Sequence, residues 1–276
     1  GAAGAPVVAA LGGISAHRRV FDADDPRRGW WSELAGPGLP LDTDRFRVLA
    51  IDWLGGGGST CPGRDQLDFP LLDSRDQANA LLAVCDSLGV ESLHAIAGAS
   101  YGGMVALALA AGHPNRVGQV LAISAAHRTD PLSTAWRAVQ REIVRHAASL
   151  GDAPGGLRIA RALAMTTYRT RTEFEARFAT EPLVASRARF PIEEYLFARG
   201  DDYARKYLPE SFLCLSTSID LHRVDPAQIR VPVTLVSVAE DQLVAPAVIR
   251  ELASTLAGPC DLIEIRSPYG HDAFLK

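Results

Sequence analysis

The sequence predicts an α/β protein whose mostly parallel sheet is doubly wound by helices, with a helical insertion near its middle. Apolar runs of strand length alternate with helical segments from residue 7 to residue 130, and this pattern resumes from residue 226 to the end. Strands that alternate with helices are typical of a parallel sheet. Residues 131–225 instead carry helical patterns and no convincing strand. We therefore predict a core of residues 1–130 and 226–276 and a helical lid at 131–225.

Each element of this architecture rests on the spacing of its apolar residues. The strands are predicted at Val7–Leu11, Arg47–Ile51, Leu93–Ala97, Val117–Ile123, Val231–Val238 and Asp261–Ile265. The core helices are predicted at Ser74–Leu88, Gly103–Ala111 and Pro246–Leu256. The lid helices are predicted at Leu132–Leu150, Gly156–Thr167, Glu173–Phe178, Ile192–Tyr207 and Ser211–Asp220. A separate helical domain is the alternative, and the return of the sheet pattern after residue 225 argues against it.

The composition excludes several classes of protein. The 276 residues are 47% hydrophobic, enough for one large domain with a sizeable core. The net charge is −4 and no basic stripe is interleaved with aromatic residues, so we expect no nucleic acid partner. No apolar run reaches transmembrane length, so we expect no membrane partner. The cysteines lack C-x-x-C spacing, so we expect no metal site and free thiols in a reducing cytoplasm; they are Cys61, Cys85, Cys214 and Cys260.

The start of the chain has neither a methionine nor the charged region of a signal peptide. The sequence leaves open whether upstream residues have been removed, and we expect the protein to be cytoplasmic.

Ser100 lies in the pentapeptide Gly98-Ala-Ser-Tyr-Gly102, between a predicted strand and a predicted helix. The pattern G-x-S-x-G in this context is typical of a nucleophile elbow. Its glycines leave room for a sharp, strained turn, and the following helix directs its positive end at the serine. The sequence predicts that Ser100 is a catalytic nucleophile; a passive serine in a glycine-rich turn is the alternative.

A serine nucleophile needs a base, and the base needs a carboxylate that orients it. In chains with this elbow, the acid and then the histidine follow the serine. Asp241 comes just after the strand Val231–Val238, and the adjacent Glu240 is the second candidate for the acid. His271 follows the last predicted strand and is the predicted base. The other six histidines have neither this position nor zinc-site spacing.

Acyl chemistry also needs backbone N–H groups aimed at the developing negative charge. We predict one from Tyr101, directly after the nucleophile, and a second from the turn Leu11-Gly12-Gly13, with Leu11 and Gly12 as the first candidates. An ordinary tight turn is the alternative interpretation of the second site.

Several segments resemble the homoserine O-acyltransferases of the MetX type, within the α/β-hydrolase superfamily. The ending Gly270-His-Asp-Ala-Phe-Leu275 is the most specific, because hydrolases of this fold rarely place an aspartate directly after the catalytic histidine. The chain departs from the family in having Gly12 where a threonine is usual and Tyr101 where a methionine is usual. The matching segments are Gly29-Trp30-Trp31 with Gly36-Pro37-Gly38, Gly98–Met104, Gly156–Arg169 and Gly270–Leu275.

The resemblance implies roles for three further residues. Arg161 and Tyr168 match the pair that holds the amino-acid acceptor, and they lie two helical turns apart, so both face the same way. Asp272 matches the aspartate that holds the ammonium group of the acceptor. Without the resemblance, Arg161 and Asp272 would be interpreted as solvated surface charges.

The resemblance also implies an activity, namely ping-pong transfer of an acyl group from acyl-CoA to L-homoserine, in methionine biosynthesis. It implies no cofactor other than the acyl-CoA co-substrate, and a homodimer formed through the lid. The alternatives are L-serine as the acceptor, an esterase of the same fold, and a binding module whose site has decayed. An amino-acid clamp argues against the esterase, and a complete triad argues against the binding module.

The acyl donor remains open between acetyl-CoA and succinyl-CoA. Family members that use succinyl-CoA often have an arginine two residues after the catalytic aspartate, where this chain has Leu243. That residue favours acetyl-CoA. Arg18 and Arg19, which follow the predicted oxyanion turn, could instead supply a guanidinium for the second carboxylate of succinate.

Overall fold

A parallel sheet forms the centre of the molecule in the computed structural model, which describes residues 2, 4–63, 68–183 and 189–276. The strands are β1 (Val7–Leu11), β2 (Ala35–Gly36), β3 (Leu41–Asp42), β4 (Arg47–Leu49), β5 (Ala95–Ala99), β6 (Val120–Ile123), β7 (Val233–Val238) and β8 (Cys260–Ile265). In the described residues, the main sheet has the order β4-β1-β5-β6-β7-β8, and each neighbouring pair is parallel. The predicted α/β class is therefore confirmed.

The helices are α1 (Ser74–Ser87), α2 (Tyr101–Gly112), α3 (Pro131–Ser149), α4 (Ala153–Tyr168), α5 (Arg171–Arg177), α6 (Pro191–Ala204), α7 (Pro209–Leu221) and α8 (Pro246–Thr255). Short 3-10 turns lie at Pro26–Arg28, Pro114–Arg116, Pro226–Gln228 and Gly270–Leu275. None of the helices in the described ranges is long and apolar enough to cross a membrane.

The centre of the sheet positions the nucleophile. Strand β5 lies between β1 and β6, and α2 follows it directly, so the residue between them stands at the carboxyl end of the sheet. Helix α2 is buried along nearly its whole length, which explains why its sequence is apolar on every face. The predicted strand Leu93–Ala97 is shifted by two residues, because Leu93 forms only an isolated bridge to Val117.

The predicted helical insertion lies between β6 and β7 and carries α3 to α7. Its helices pack on one another around a small apolar cluster of their own that includes Val144, Leu157 and Phe212. Asp130 caps the start of helix α3, and its carboxylate accepts hydrogen bonds from two backbone N–H groups of the first turn. The short strands β2 and β3, which pair with each other, were not predicted from the sequence.

Candidate active site

Ser100 has the strained backbone that a nucleophile elbow requires. Its φ and ψ angles are 54° and −121°, in a region that residues with a Cβ rarely adopt. Its N–H donates to the carbonyl of Ile123 at 2.8 Å, which ties the turn to β6. A Cβ at Gly98 would collide with the backbone of Gly102, and one at Gly102 would collide with the backbone of Leu11. The glycines of the motif are therefore needed for close packing of β5, α2 and β1.

The predicted triad residues lie in one hydrogen-bonded chain. His271 Nε2 is 2.8 Å from Ser100 Oγ, and His271 Nδ1 is 2.8 Å from Asp241 Oδ2. The second carboxylate oxygen, Asp241 Oδ1, accepts hydrogen bonds from the N–H groups of Leu243 at 2.8 Å and Val244 at 3.0 Å. Both Asp241 and His271 are buried. This is the geometry in which a histidine can take a proton from serine and a carboxylate can stabilise the resulting imidazolium.

The neighbouring carboxylate of Glu240 faces away from the histidine. Its Oε2 accepts a hydrogen bond from the N–H of Ser267 at 2.9 Å, and its side chain is partly exposed. Of the two adjacent carboxylates that the sequence could not separate, the structure places only Asp241 against His271.

The environment of His271 shifts its pKa upward. Burial alone would disfavour the imidazolium, but the charge and hydrogen bond of Asp241 outweigh burial and raise the pKa above its usual value. Asp272 acts in the same direction, and Arg137 opposes it. The basicity of His271 is therefore raised by the negative charge of Asp241 and lowered, to a smaller extent, by the positive charge of Arg137 on the lid.

Of the predicted oxyanion residues, Tyr101 lines the cavity in front of Ser100, whereas Leu11 and Gly12 do not. Tyr101 N–H is the first of α2 and donates to no acceptor in the described residues, so it is available at the site. Leu11 pairs with Gly98 inside the sheet, and neither Leu11 nor Gly12 lines the cavity in front of Ser100. The next residue, Gly13, does line it and lies against the Ser100 side chain. Of the three residues of the predicted turn, only Gly13 lines the cavity, because β1 ends only at Leu11.

The side chain of Tyr101 connects the elbow to the lid. It is fully buried, its ring meets the edge of Trp53 at a centroid distance of 5.1 Å, and its hydroxyl lies 2.5 Å from Ser218 Oγ on α7. Burial raises the pKa of the phenol, so the hydroxyl remains neutral. Nothing in the sequence indicated the contact with Ser218, because it joins residues 117 positions apart.

Arg161 and Tyr168, the pair implied by the resemblance, line the same cavity as Ser100 and His271. Arg161 Nη1 lies 3.3 Å from the Tyr168 hydroxyl, and its guanidinium stacks on the rings of Tyr168 at 5.1 Å and Tyr203 at 4.7 Å. No carboxylate in the described part of the chain forms an ion pair with it. Arg161 is therefore a partly buried cation held by aromatic rings and not a fully solvated surface charge.

Asp272 also lines the cavity, and its side chain is 13% exposed. Its Oδ2 accepts a hydrogen bond from Arg169 Nε at 2.9 Å, and Arg169 also approaches Glu173 at 3.5 Å. Sequence reasoning missed Arg169 and Glu173, because only the fold brings α4 and α5 beside the turn that carries Asp272. This network fixes the carboxylate beside the catalytic histidine.

Arg18 and Arg19, which the sequence offered as partners for a succinyl carboxylate, lie outside the cavity that contains Ser100. Arg18 binds Asp52 at 2.5 Å with a 64% exposed side chain, and neither Arg18 nor Arg19 lines the cavity. Arg128 and Arg137 do line it, next to Leu243, and the sequence analysis had not singled them out.

Comparison with known proteins identifies the family of this chain. The family model of the alpha/beta hydrolase fold matches residues 15–276. The chain is 44% identical over 278 residues to a homoserine O-succinyltransferase of Xanthomonas campestris pv. campestris, covering 100% of this chain and 73% of that relative. It is 34% identical over 302 residues to a homoserine O-acetyltransferase of Symbiobacterium thermophilum, covering 96% and 79%. It is 38% identical over 231 residues to a serine O-succinyltransferase of Litchfieldella anticariensis, covering 75% and 63%.

Solved structures share the fold. A homoserine O-acetyltransferase from Bacillus anthracis matches with a TM-score of 0.87 at 18% identity, covering 98% of this chain and 84% of that one. Esterase E22 matches with a TM-score of 0.86 at 22% identity, covering 97% and 85%. These two likenesses concern the fold alone, whereas the sequence relatives identify the family. The chain belongs to the α/β-hydrolase superfamily and, within it, to the MetX-type homoserine O-acyltransferases, and it is an acyltransferase.

Proposed function

We propose that this chain transfers an acyl group from acyl-CoA to the hydroxyl of L-homoserine by a ping-pong mechanism, in methionine biosynthesis. One observation carries the proposal: the Ser100–His271–Asp241 chain opens into the same cavity as Arg161, a partly buried cation with no ion-pair partner in the described residues. The triad supports acyl transfer in general. The unpaired cation supports an acceptor that carries a carboxylate.

In the proposed first half-reaction, Ser100 Oγ attacks the thioester carbonyl carbon while His271 Nε2 takes its proton. Asp241 stabilises the imidazolium, and the N–H groups of Tyr101 and Gly13 face the negative oxygen. The carbon–sulfur bond then breaks, and the sulfur of CoA takes the proton from His271. The acyl group remains on Ser100 as an ester.

In the second half-reaction, the homoserine hydroxyl attacks that ester while His271 takes the hydroxyl proton. The bond between Ser100 Oγ and the acyl carbon breaks, and the serine oxygen recovers the proton. No cofactor is needed in either step. The placement of Arg161 and Tyr168 supports their proposed role in holding the acceptor carboxylate, and that of Asp272 supports contact with the ammonium group.

L-serine is the second candidate acceptor, because the relative from Litchfieldella anticariensis is named a serine O-succinyltransferase. Serine has one methylene less than homoserine, a difference that a pocket distinguishes by only about 1–3 kcal/mol. Water, the acceptor of an esterase, would leave Arg161 without a function in the reaction.

The proposal extends to a homodimer in the cytoplasm. Leu132 and Val139 are exposed on α3 and lie two helical turns apart, so they form an apolar strip on the outside of the lid. The thiols of Cys85, Cys214 and Cys260 are free, which suits a reducing compartment. Light scattering of the purified chain measures the mass: a dimeric mass supports the lid interface, and a monomer at micromolar concentration contradicts it.

Two measurements test the activity. Incubation with acyl-CoA alone should release CoA and add one acyl mass to the wild type, and to no residue other than Ser100. Addition of homoserine should then discharge the acyl-enzyme and form the O-acyl amino acid. The Ser100→Ala variant is the matched control. Discharge to water at the same rate with or without an amino acid would identify an esterase and overturn the proposal.

A further inference from the structure

Two arginines of the lid share one carboxylate. On α7, Asp220 Oδ1 accepts a hydrogen bond from Arg137 Nε at 2.7 Å, and its Oδ2 accepts one from Arg141 Nη1 at 2.6 Å. The side chains of Asp220, Arg137 and Arg141 are 11%, 12% and 10% exposed, so the group is largely shielded from water. Two cations with one anion leave an excess of one positive charge in a poorly solvated place.

This excess charge faces the catalytic cavity through Arg137. Arg137 lines the cavity together with Ser100 and His271, whereas Arg141 does not. Its Nη2 lies 2.6 Å from Asp220 Oδ1 but is not aligned for a hydrogen bond, and it is buried without any other partner in the described residues. The hydrogen-bonding capacity of the Arg137 guanidinium is therefore not saturated by the protein.

Of the other charged groups on the cavity wall, Arg161 is the residue proposed to hold the acceptor carboxylate, and Asp272 bonds with Arg169 at 2.9 Å. Arg128 bonds with Glu251 at 2.5 Å. Asp130 caps α3, and it lies seven residues from Arg137, about 10 Å along the helix axis. Arg137 is also close enough to act on the titration of His271, which places its charge within electrostatic reach of the reacting atoms.

We infer that Arg137 binds a carboxylate at the far end of the acyl chain, so that the donor is the CoA thioester of a dicarboxylic acid such as succinyl-CoA, in preference to acetyl-CoA. This inference rests on the proposed function. A carboxylate buried without a partner is strongly disfavoured, and one beside Arg137 balances the excess charge of the lid. The neighbouring Leu243 lines the same cavity and can contact the methylene groups between the two carbonyl carbons.

The acceptor carboxylate is the other source of a negative charge that could reach Arg137. Rates measured separately for the two half-reactions distinguish these sources, since the acyl chain is present in the first and the acceptor enters only in the second. Acetyl-CoA, butyryl-CoA and succinyl-CoA serve as donors. Butyryl-CoA has the chain length of succinyl-CoA without the carboxylate, so the wild type alone answers part of the question.

We expect the wild type to be acylated by succinyl-CoA at least about tenfold faster than by butyryl-CoA, since a charged pair replaces an apolar contact. Arg137→Met should lower the ratio of succinyl to acetyl kcat/KM by roughly 30- to 1000-fold, as is usual when one partner of a buried charge pair is removed. Arg18→Met, at an exposed arginine outside the cavity, is the matched control and should leave the ratio unchanged.

Equal acylation by butyryl-CoA and succinyl-CoA in the wild type would overturn the inference, even if Arg137→Met fails to fold. So would an Arg137→Met variant whose ratio is unchanged, or one that affects only the KM for homoserine, which would assign Arg137 to the acceptor. These outcomes leave the proposed function intact if homoserine is still acylated. Failure of all three thioesters to acylate Ser100 would overturn both.

Discussion

Replacing Asp241 by asparagine should disable the triad through the tautomer of His271. In the structure, Asp241 Oδ1 accepts two backbone N–H groups, at 2.8 and 3.0 Å, so the amide oxygen of an asparagine must stay on that side. The amide NH₂ would then face His271 Nδ1 across the present distance of 2.8 Å. Because an NH₂ group only donates, Nδ1 would have to accept, and the ring proton would move to Nε2.

With its proton on Nε2, the histidine cannot accept the proton of Ser100. Triads changed in this way lose about 10⁴-fold in kcat, which corresponds to about 5 kcal/mol at 1.36 kcal/mol per tenfold. The loss should appear in the first half-reaction, measured as the rate of CoA release from acyl-CoA without an acceptor. The thermal midpoint should change little, because the variant keeps the shape and most hydrogen bonds of the aspartate.

Glu240→Gln is the matched control, since Glu240 is adjacent but bonds the N–H of Ser267 and not the histidine. It should acylate within about threefold of the wild type, in line with the small effect of most substitutions that remove no buried partner. An Asp241→Asn enzyme within tenfold of the wild type, or an inactive Glu240→Gln enzyme, would refute this account of the acid.

Three further outcomes follow from the site and the core. Arg161→Gln should raise the KM for homoserine by about 30-fold or more, the effect of losing a charge-assisted bond, while acylation by the donor stays near the wild-type rate; an equal loss in both half-reactions would make Arg161 structural. The pH at which acylation falls on the acid side reports His271, so Asp272→Asn should move it to lower pH and Arg137→Met to higher pH; equal shifts in one direction would contradict the charge assignment. Burial lowers the pKa of His222 from 6.5 to about 4, so between these pH values the unfolded chain binds a proton that the folded chain does not. As the pH falls through this range, the free energy of unfolding should therefore decrease by up to about 1.4 kcal/mol per pH unit. Denaturant titrations in which wild type and His222→Gln show the same dependence of this free energy on pH would exclude His222 as its source.

The triad could be predicted from the sequence because local patterns fix where its members stand. A parallel sheet brings the carboxyl ends of its strands to one edge, so residues just after β5, β7 and β8 meet there whatever the rest of the chain does. That argument locates Ser100 and His271 without knowledge of the lid. It cannot separate Glu240 from Asp241, because neighbouring side chains at a strand end differ in direction, and here the N–H groups of Leu243 and Val244 decide.

The lid explains why the rest of the site escaped prediction. Arg18 and Arg19, the candidates for an acyl-group arginine if the donor is succinyl-CoA, follow the oxyanion turn in sequence, but the fold leaves both outside the cavity. Arg137 reaches the cavity only because α3 packs on α7 and shares Asp220 with it, a contact across 83 residues that no local pattern encodes. The positions of Ser100, Asp241 and His271 are fixed by the sheet, whereas the lid residues on the cavity wall depend on how the helices of the insertion pack.

This division has a consequence for specificity. The elbow contacts the lid directly, since the Tyr101 hydroxyl bonds Ser218 on α7, two residues before the Asp220 that holds Arg137. A shift in the position of α7 would therefore move both Tyr101, beside the nucleophile, and Arg137, the residue inferred to bind the acyl carboxylate. Substitutions on the buried side of α7 should alter donor choice while the hydrogen bonds of Ser100, His271 and Asp241 persist, because no residue of α7 takes part in those bonds.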